Sequence, residues 1–149
     1  MECGVIEMKK YVVGFVFDKT YEKVLLIKKN RPEWQKGKIN GLGGKIEEGE
    51  TSIEAMRREF LEECGLDVPI EDWFCFCEYN IIIPESACIY FYTATVDDIH
   101  EAKSTTDEII NVCFPDMLPG NVIPNLKWLI PMASAEYPVK CLAHEVAER

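Results

Sequence analysis

The sequence predicts an α/β fold, with a mixed β-sheet packed between helices. Three observations carry this expectation. Runs of β-branched and aromatic residues stand both before and after the middle of the chain. One strong amphipathic segment, Thr51–Cys64, lies between them. A second apolar segment, Asn125–Ala135, follows the last of the strand-like runs. The order of the strands does not follow from periodicity.

Taken in order, residues Met1–Glu7 form an N-terminal extension, flexible and dispensable, because the strand pattern begins only after Met8-Lys9-Lys10. Tyr11–Phe17 and Lys23–Ile27 are strand-like, joined by a polar hairpin turn at Asp18–Glu22. Lys28–Lys38 is a basic, polar loop that carries Trp34. Gly41–Gly44 is too rich in glycine for a helix or a regular strand. Thr51–Cys64 reads as a helix: Thr51 and Glu54 have the capping-box spacing, and Gly65 stands where a left-handed cap belongs. Ile53, Met56, Phe60 and Cys64 recur at helical spacing and mark its buried face. Trp73–Ile83 and Ala87–Val96 are strand-like and separated by a turn near Pro84-Glu85-Ser86. Ile109–Phe114 is a further short strand, and Asn125–Ala135 is a closing helix with Pro131 in its middle.

The 149 residues fit one domain spanning 1–149, and a hydrophobic content of 48% is enough for a core. The net charge of −10 argues against strong binding to nucleic acid, since phosphate contacts need Lys and Arg. A small anionic ligand remains compatible with this charge if cations, such as a bound metal, gather locally. The seven cysteines are odd in number, form no CxxC pair, and have only His100 and His144 as histidine company. They read as reduced and mostly buried rather than as zinc ligands, which points to the cytoplasm. Cys75 and Cys77 are expected to line one face of a strand. The apolar runs are too short to span a membrane, and the N-terminus has no signal-peptide apolar region.

The chemistry concentrates in Gly43–Leu66. On the helix, Glu59, Glu62 and Glu63 stand at i, i+3 and i+4. At ~100° per residue they are expected to share one flank beside the apolar face. Three like charges at this spacing repel, and a hard dication such as Mg²⁺ would relieve that repulsion. An acidic helix face alone reads equally well as a solvated surface. The glycine turn and lysine just before it tip the balance, because bare backbone there can approach a metal or phosphate.

The segment resembles the signature of the Nudix hydrolases, G-x5-E-x7-R-E-U-x-E-E-x-G-U, where U is a bulky aliphatic residue. Gly44 opens it, followed by Glu50, Arg58-Glu59, Phe60 at the first U, Glu62-Glu63, Gly65 and Leu66. Phe60, aromatic in place of aliphatic, is the one departure. The resemblance implies an α/β/α sandwich around a mixed sheet. It also implies Mg²⁺, or Mn²⁺ as substitute, held by Glu59, Glu62, Glu63 and the Gly43 carbonyl. Arg58 and Glu50 would pair and brace the loop against the helix. The general base would be a helix glutamate or a later acid. Glu108, just before the strand at Ile109, is the matching candidate for a further metal ligand or base; its other reading is an exposed loop acid. Many relatives form homodimers, so a homodimer is a candidate assembly.

The substrate implied is a nucleotide. Lys45 follows the glycines and is a candidate phosphate contact, or an ordinary surface lysine. Lys28, Lys29 and Arg31 form a small basic cluster that bears on an anionic substrate or, for most of its members, reads as a solvated loop. Trp34 either stacks on a base or packs in the core. Asn40-Gly41-Leu42-Gly43-Gly44-Lys45 is similar to a run in the oxidised-purine triphosphatase branch, where the asparagine touches the base; this carries over to Asn40. The aspartate pair that reads the base there has no match, and Ile123-Pro124-Asn125-Leu126 is the comparable stretch, leaving Asn125 as a candidate donor. The ADP-ribose branch has a proline ~15 residues past the motif, where this chain has Ile81. A nucleoside triphosphate cut to monophosphate and pyrophosphate is therefore the leading expectation. ADP-ribose, a dinucleoside polyphosphate, an RNA 5′ end, and a non-catalytic ligand sensor are the alternatives.

Overall fold

The computed structural model describes residues 8–83, 86–135 and 141–146. The expected N-terminal extension 1–7 and the turn residues Pro84 and Glu85 lie outside these. Among the described residues there are eight strands: β1 (Lys9–Asp18), β2 (Val24–Lys28), β3 (Ile39–Asn40), β4 (Leu42–Lys45), β5 (Phe74–Ile83), β6 (Ala87–Val96), β7 (Ile109–Cys113) and β8 (Cys141–Val146). Helix α1 spans Ser52–Cys64 and α2 spans Leu126–Ala133. The main path of the sheet is β3-β2-β1-β6-β5-β8, with β4 also paired to β1 and β7 to β2. The sheet is mixed: β1 runs parallel to β6 and antiparallel to β2 and β4, while β5 runs parallel to β8. The expected mixed α/β architecture is observed.

Alternation along the strands splits the core into two layers. On β1, Val12 and Val16 face α1, together with Leu25, Ile27, Leu42, Met56, Phe60, Trp73 and Tyr92. Phe15 and Phe17 face the other way, with Leu26, Phe76, Phe91, Leu126, Leu129 and Ile130 of the α2 layer. Successive side chains of a strand point to opposite faces, so one hydrophobic strand serves both layers. Phe60 is fully buried edge-on against Trp73, with ring centroids 5.4 Å apart. Its burial contributes ~2–3 kcal/mol, so an aromatic at this aliphatic position is absorbed by packing.

The start and stop of α1 follow the sequence. Thr51 caps it by accepting from the Glu54 amide at 3.3 Å, and Gly65 ends it in the left-handed region at φ 79°. Three expectations are corrected. Gly41–Gly44 does enter a strand, because β1 supplies a full antiparallel partner from Tyr11↔Lys45 to Gly14↔Leu42. Helix α2 is shorter than Asn125–Ala135 and continues through Pro131, which has no N–H to donate to the Lys127 carbonyl one turn back. Cys75 and Cys77 do not share a face: a register shift between them places Cys77 in the α2 layer and Cys75 against the α1 layer. The short β3 and the strand β8 carried no signal strong enough to be expected. Among the described residues no helix is long and apolar enough to cross a membrane.

Candidate active site

Strand β4 and helix α1 meet at two glycines. A Cβ on Gly43 would collide with the Val12 carbonyl, and one on Gly44 would stand 2.5–2.6 Å from the Glu59 carboxylate. Only bare backbone lets the helix acids come this near the sheet. Gly43 donates its amide hydrogen to Glu63 Oε1 at 3.0 Å. Glu63 is 6% exposed, and its Oε2 has no protein partner. Burial pushes its carboxyl up to about 8; the positive Lys29 opposes that, while the negative Glu59 and Glu108 add to it. A buried carboxylate oxygen without a donor is costly unless a proton or a cation joins it.

The three helix glutamates lie within one ~100° arc of α1 but differ in burial. Positions one apart differ by ~100° around the axis, so Glu62 and Glu63 cannot both face β4. Glu63 points inward, the Glu59 side chain is 17% exposed, and the Glu62 side chain is 58% exposed. Burial raises the Glu59 carboxyl, with Arg58 opposing. Arg58 Nη1 donates to Glu59 Oε1 at 2.9 Å and lies 3.4 Å from Glu62 Oε2. Among the described residues no three acidic, histidine or cysteine side chains already stand as a ligand set. Glu59 and Glu62 turn to the guanidinium instead.

Arg58 and Glu50 pair as expected. Nε donates to Glu50 Oε2 at 2.6 Å and Nη2 to Oε1 at 2.8 Å. Nη2 also donates to the Lys45 carbonyl at 3.1 Å, and the Glu47 amide donates to Glu50 at 2.9 Å. The guanidinium holds the Glu50 carboxyl below its usual range. One planar cation thus ties the end of β4, the following turn and α1 together.

Glu108 is no exposed loop acid: it is 6% exposed. The Asn30 amide donates to its Oε2 at 2.7 Å, and Lys29 Nζ donates to its Oε1 at 3.2 Å. Pairing of β7 with β2 carries it there, since Ile109 stands opposite Lys28. Asn30, and the pairing of Lys29 with Glu108, are what sequence reasoning missed. Lys28 and Arg31 are solvated as expected, but the Lys29 side chain is only 15% exposed. The signal was present in the alternation: Lys29 is in phase with Leu25 and Ile27, which face α1.

The remaining candidates are more scattered. Asn40 is half-buried; its Oδ1 accepts from the Gly41 amide at 2.8 Å and its Nδ2 donates to Gln35 at 3.1 Å. Asn125 leads into α2, and its Oδ1 is buried without a partner. Ile39 bridges Val122, which brings the segments carrying Asn40 and Asn125 together. Trp34 is 63% exposed, so its packing role falls away. Lys45 is exposed at the end of β4. Among the described residues no disulfide forms, and burial pushes the Cys64 and Cys77 thiols up to about 11 and about 12.

A single mixed sheet with a core layer on each face, its glycine strand pressed onto a glutamate-bearing helix, has the arrangement of a Nudix-type domain. A family model described as the NUDIX domain matches residues 8–130, and the chain belongs to the Nudix hydrolase family. An oxidized purine nucleoside triphosphate hydrolase of Mus musculus is 33% identical over 89 residues, covering 59% of this chain and 55% of that one. A protein of the same name from Danio rerio is 62% identical over 32 residues, 22% of this chain and 20% of its own. The matches therefore span about half of the mouse relative and a fifth of the fish one. Among solved structures, a NUDIX hydrolase from Nitrosomonas europaea superposes with a TM-score of 0.75 at 18% identity, covering 95% of this chain and 80% of that one. A MutT NUDIX hydrolase from Burkholderia pseudomallei gives 0.72 at 19% identity, covering 87% and 99%. At these identities the likeness is one of fold.

Proposed function

We propose that the chain hydrolyses a nucleoside triphosphate to the monophosphate and pyrophosphate with Mg²⁺ or Mn²⁺. Glu59, Glu62, Glu63, Glu108 and the Gly43 carbonyl would hold the metal. The observation that carries this reading is Glu63: a buried carboxylate with one oxygen on the Gly43 amide and the other unpartnered, flanked by Glu59 and Glu108. That donor set is all oxygen, which suits a hard dication. A bound dication supplies charge neutralisation on the phosphates and a more acidic water. Gly44 leaves the Glu59 carboxylate room against β4, and Arg58 fixes the turn so that the acids keep their spacing. A carboxylate of the cluster, Glu108 or a helix glutamate, takes the proton of the attacking water.

The choice of a triphosphate is supported by the name of the mouse relative, by the Asn40–Lys45 run and by the unpartnered Asn125 Oδ1. A buried acceptor without a partner is suited to a donor on a purine edge. A cytoplasmic setting belongs to the same proposal, supported by the cysteine spacing. The test is kcat/KM with Mg²⁺ across common and oxidised triphosphates, beside ADP-ribose, a dinucleoside polyphosphate and a 5′-triphosphate RNA. A lead of more than about tenfold for one of the last three, ~1.4 kcal/mol in transition-state binding, overturns the triphosphate reading. Inactivity across the panel with retained nucleotide binding points to a sensor.

A further inference from the structure

We infer that Lys29 is a resident cation of the metal-free site, holding Glu108 in place until a dication displaces it. The inference rests on the metal-binding part of the proposal above. The sequence offers Lys29 as one of three loop cations, yet its neighbours Lys28 and Arg31 are in solvent while its own ammonium is turned inward. Its Nζ lies 3.2 Å from Glu108 Oε1, and the pair is shielded, with side chains 15% and 7% exposed. Its charge is also the leading attraction felt by Glu63, which meets repulsion from Glu59 and Glu108. Arg58, a second cation of this region, is engaged by Glu50 through two hydrogen bonds.

Acids crowded against little solvent need a proton or a nearby cation in the absence of metal, and Glu108 has the Lys29 ammonium beside it. Lys29 supplies one charge on a flexible four-carbon stem, which can withdraw; the planar, doubly bonded Arg58 cannot do so as readily. Glu108 is not left unsupported when Lys29 leaves, because the Asn30 amide still donates to its Oε2 at 2.7 Å. Lys29 therefore acts through Glu108 as a positioning residue. Its departure is the cost that the metal has to meet.

The test is Mn²⁺ binding without nucleotide, by calorimetry or by the spin resonance of free Mn²⁺, on wild type, Lys29→Met, Lys29→Gln and Lys29→Arg. With a chelator present, Lys29→Met should lower Tm by about 5 °C or more, since buried acids lose their counter-charge. Lys29→Met and Lys29→Gln should both bind Mn²⁺ at least about tenfold more tightly, because a competing charge is gone. Lys29→Arg should return both measurements toward wild type. A Lys29→Met chain that is unfolded in chelator and folds on addition of Mn²⁺ is the extreme form of the expected result. Unchanged or weaker Mn²⁺ binding by both neutral variants, with normal binding by wild type, overturns the inference alone. Absence of Mn²⁺ binding by wild type overturns it together with the metal-dependent function.

Discussion

The amide of Gly43 and the carboxylate of Glu63, twenty positions apart in the chain, meet at 3.0 Å. This bond fixes strand β4 to helix α1 and selects Glu63, of the three helix acids, as the buried one. Glu62→Gln and Glu63→Gln should both lower kcat by orders of magnitude with Mg²⁺, while circular dichroism stays native. Near-wild-type turnover of either variant would remove that residue from the proposed metal site.

The same burial gives the metal-free protein a pH dependence. Glu63 titrates at about 8 when folded and at ~4.3 when unfolded. Between these values the folded state holds a proton that the unfolded state has released. Stability from this group is therefore full below ~4.3 and declines as pH rises toward 8. Thermal melts in chelator from pH 5 to 9 should show that decline, and Glu63→Gln should flatten it. An equal slope in both proteins would refute the assignment.

Adjacent glycines should fail in different ways. Gly43→Ala drives a methyl into the Val12 carbonyl, which is backbone, and should unfold or strongly destabilise the chain. Gly44→Ala meets the Glu59 carboxylate, the end of a side chain that can swing away. It should keep most of its stability and lose metal binding and turnover. Melting curves and Mn²⁺ titration of the two variants separate these outcomes; equal losses of stability would contradict them.

Arg58 should matter through geometry as much as charge. Arg58→Lys cannot reproduce the two bonds to Glu50 and the third to the Lys45 carbonyl. A loss of ~1–3 kcal/mol in urea unfolding is expected, discounted for a pair that is partly solvated. A loss as large in Arg57→Lys, whose partner Asp67 is exposed, would show that the brace has no special weight.

Base selection should depend on the two asparagines. Asn40→Ala and Asn125→Ala should flatten the ranking among triphosphates more than they lower turnover on the poorest one. An unaltered ranking in both variants would place base recognition elsewhere.

The sequence alone determined the local structure of the α1 region. The cap at Thr51, the stop at Gly65, the apolar spacing of Met56, Phe60 and Cys64, and the Arg58–Glu50 pair all depend on contacts within about one or two turns of chain or on a motif of fixed spacing. Tertiary structure decided what depends on distant partners. β4 is a strand because β1 accepts its glycines, and Cys75 parts from Cys77 because the pairing with β6 slips by one residue. Glu63 is buried and Glu62 is not because one rotation of the helix presents a single acid to Gly43. Lys29 and Glu108, 79 positions apart, meet only because β7 pairs with β2. Local pattern carries the period of an element, whereas the charge that a side chain finally meets is set by whichever strand the sheet lays beside it.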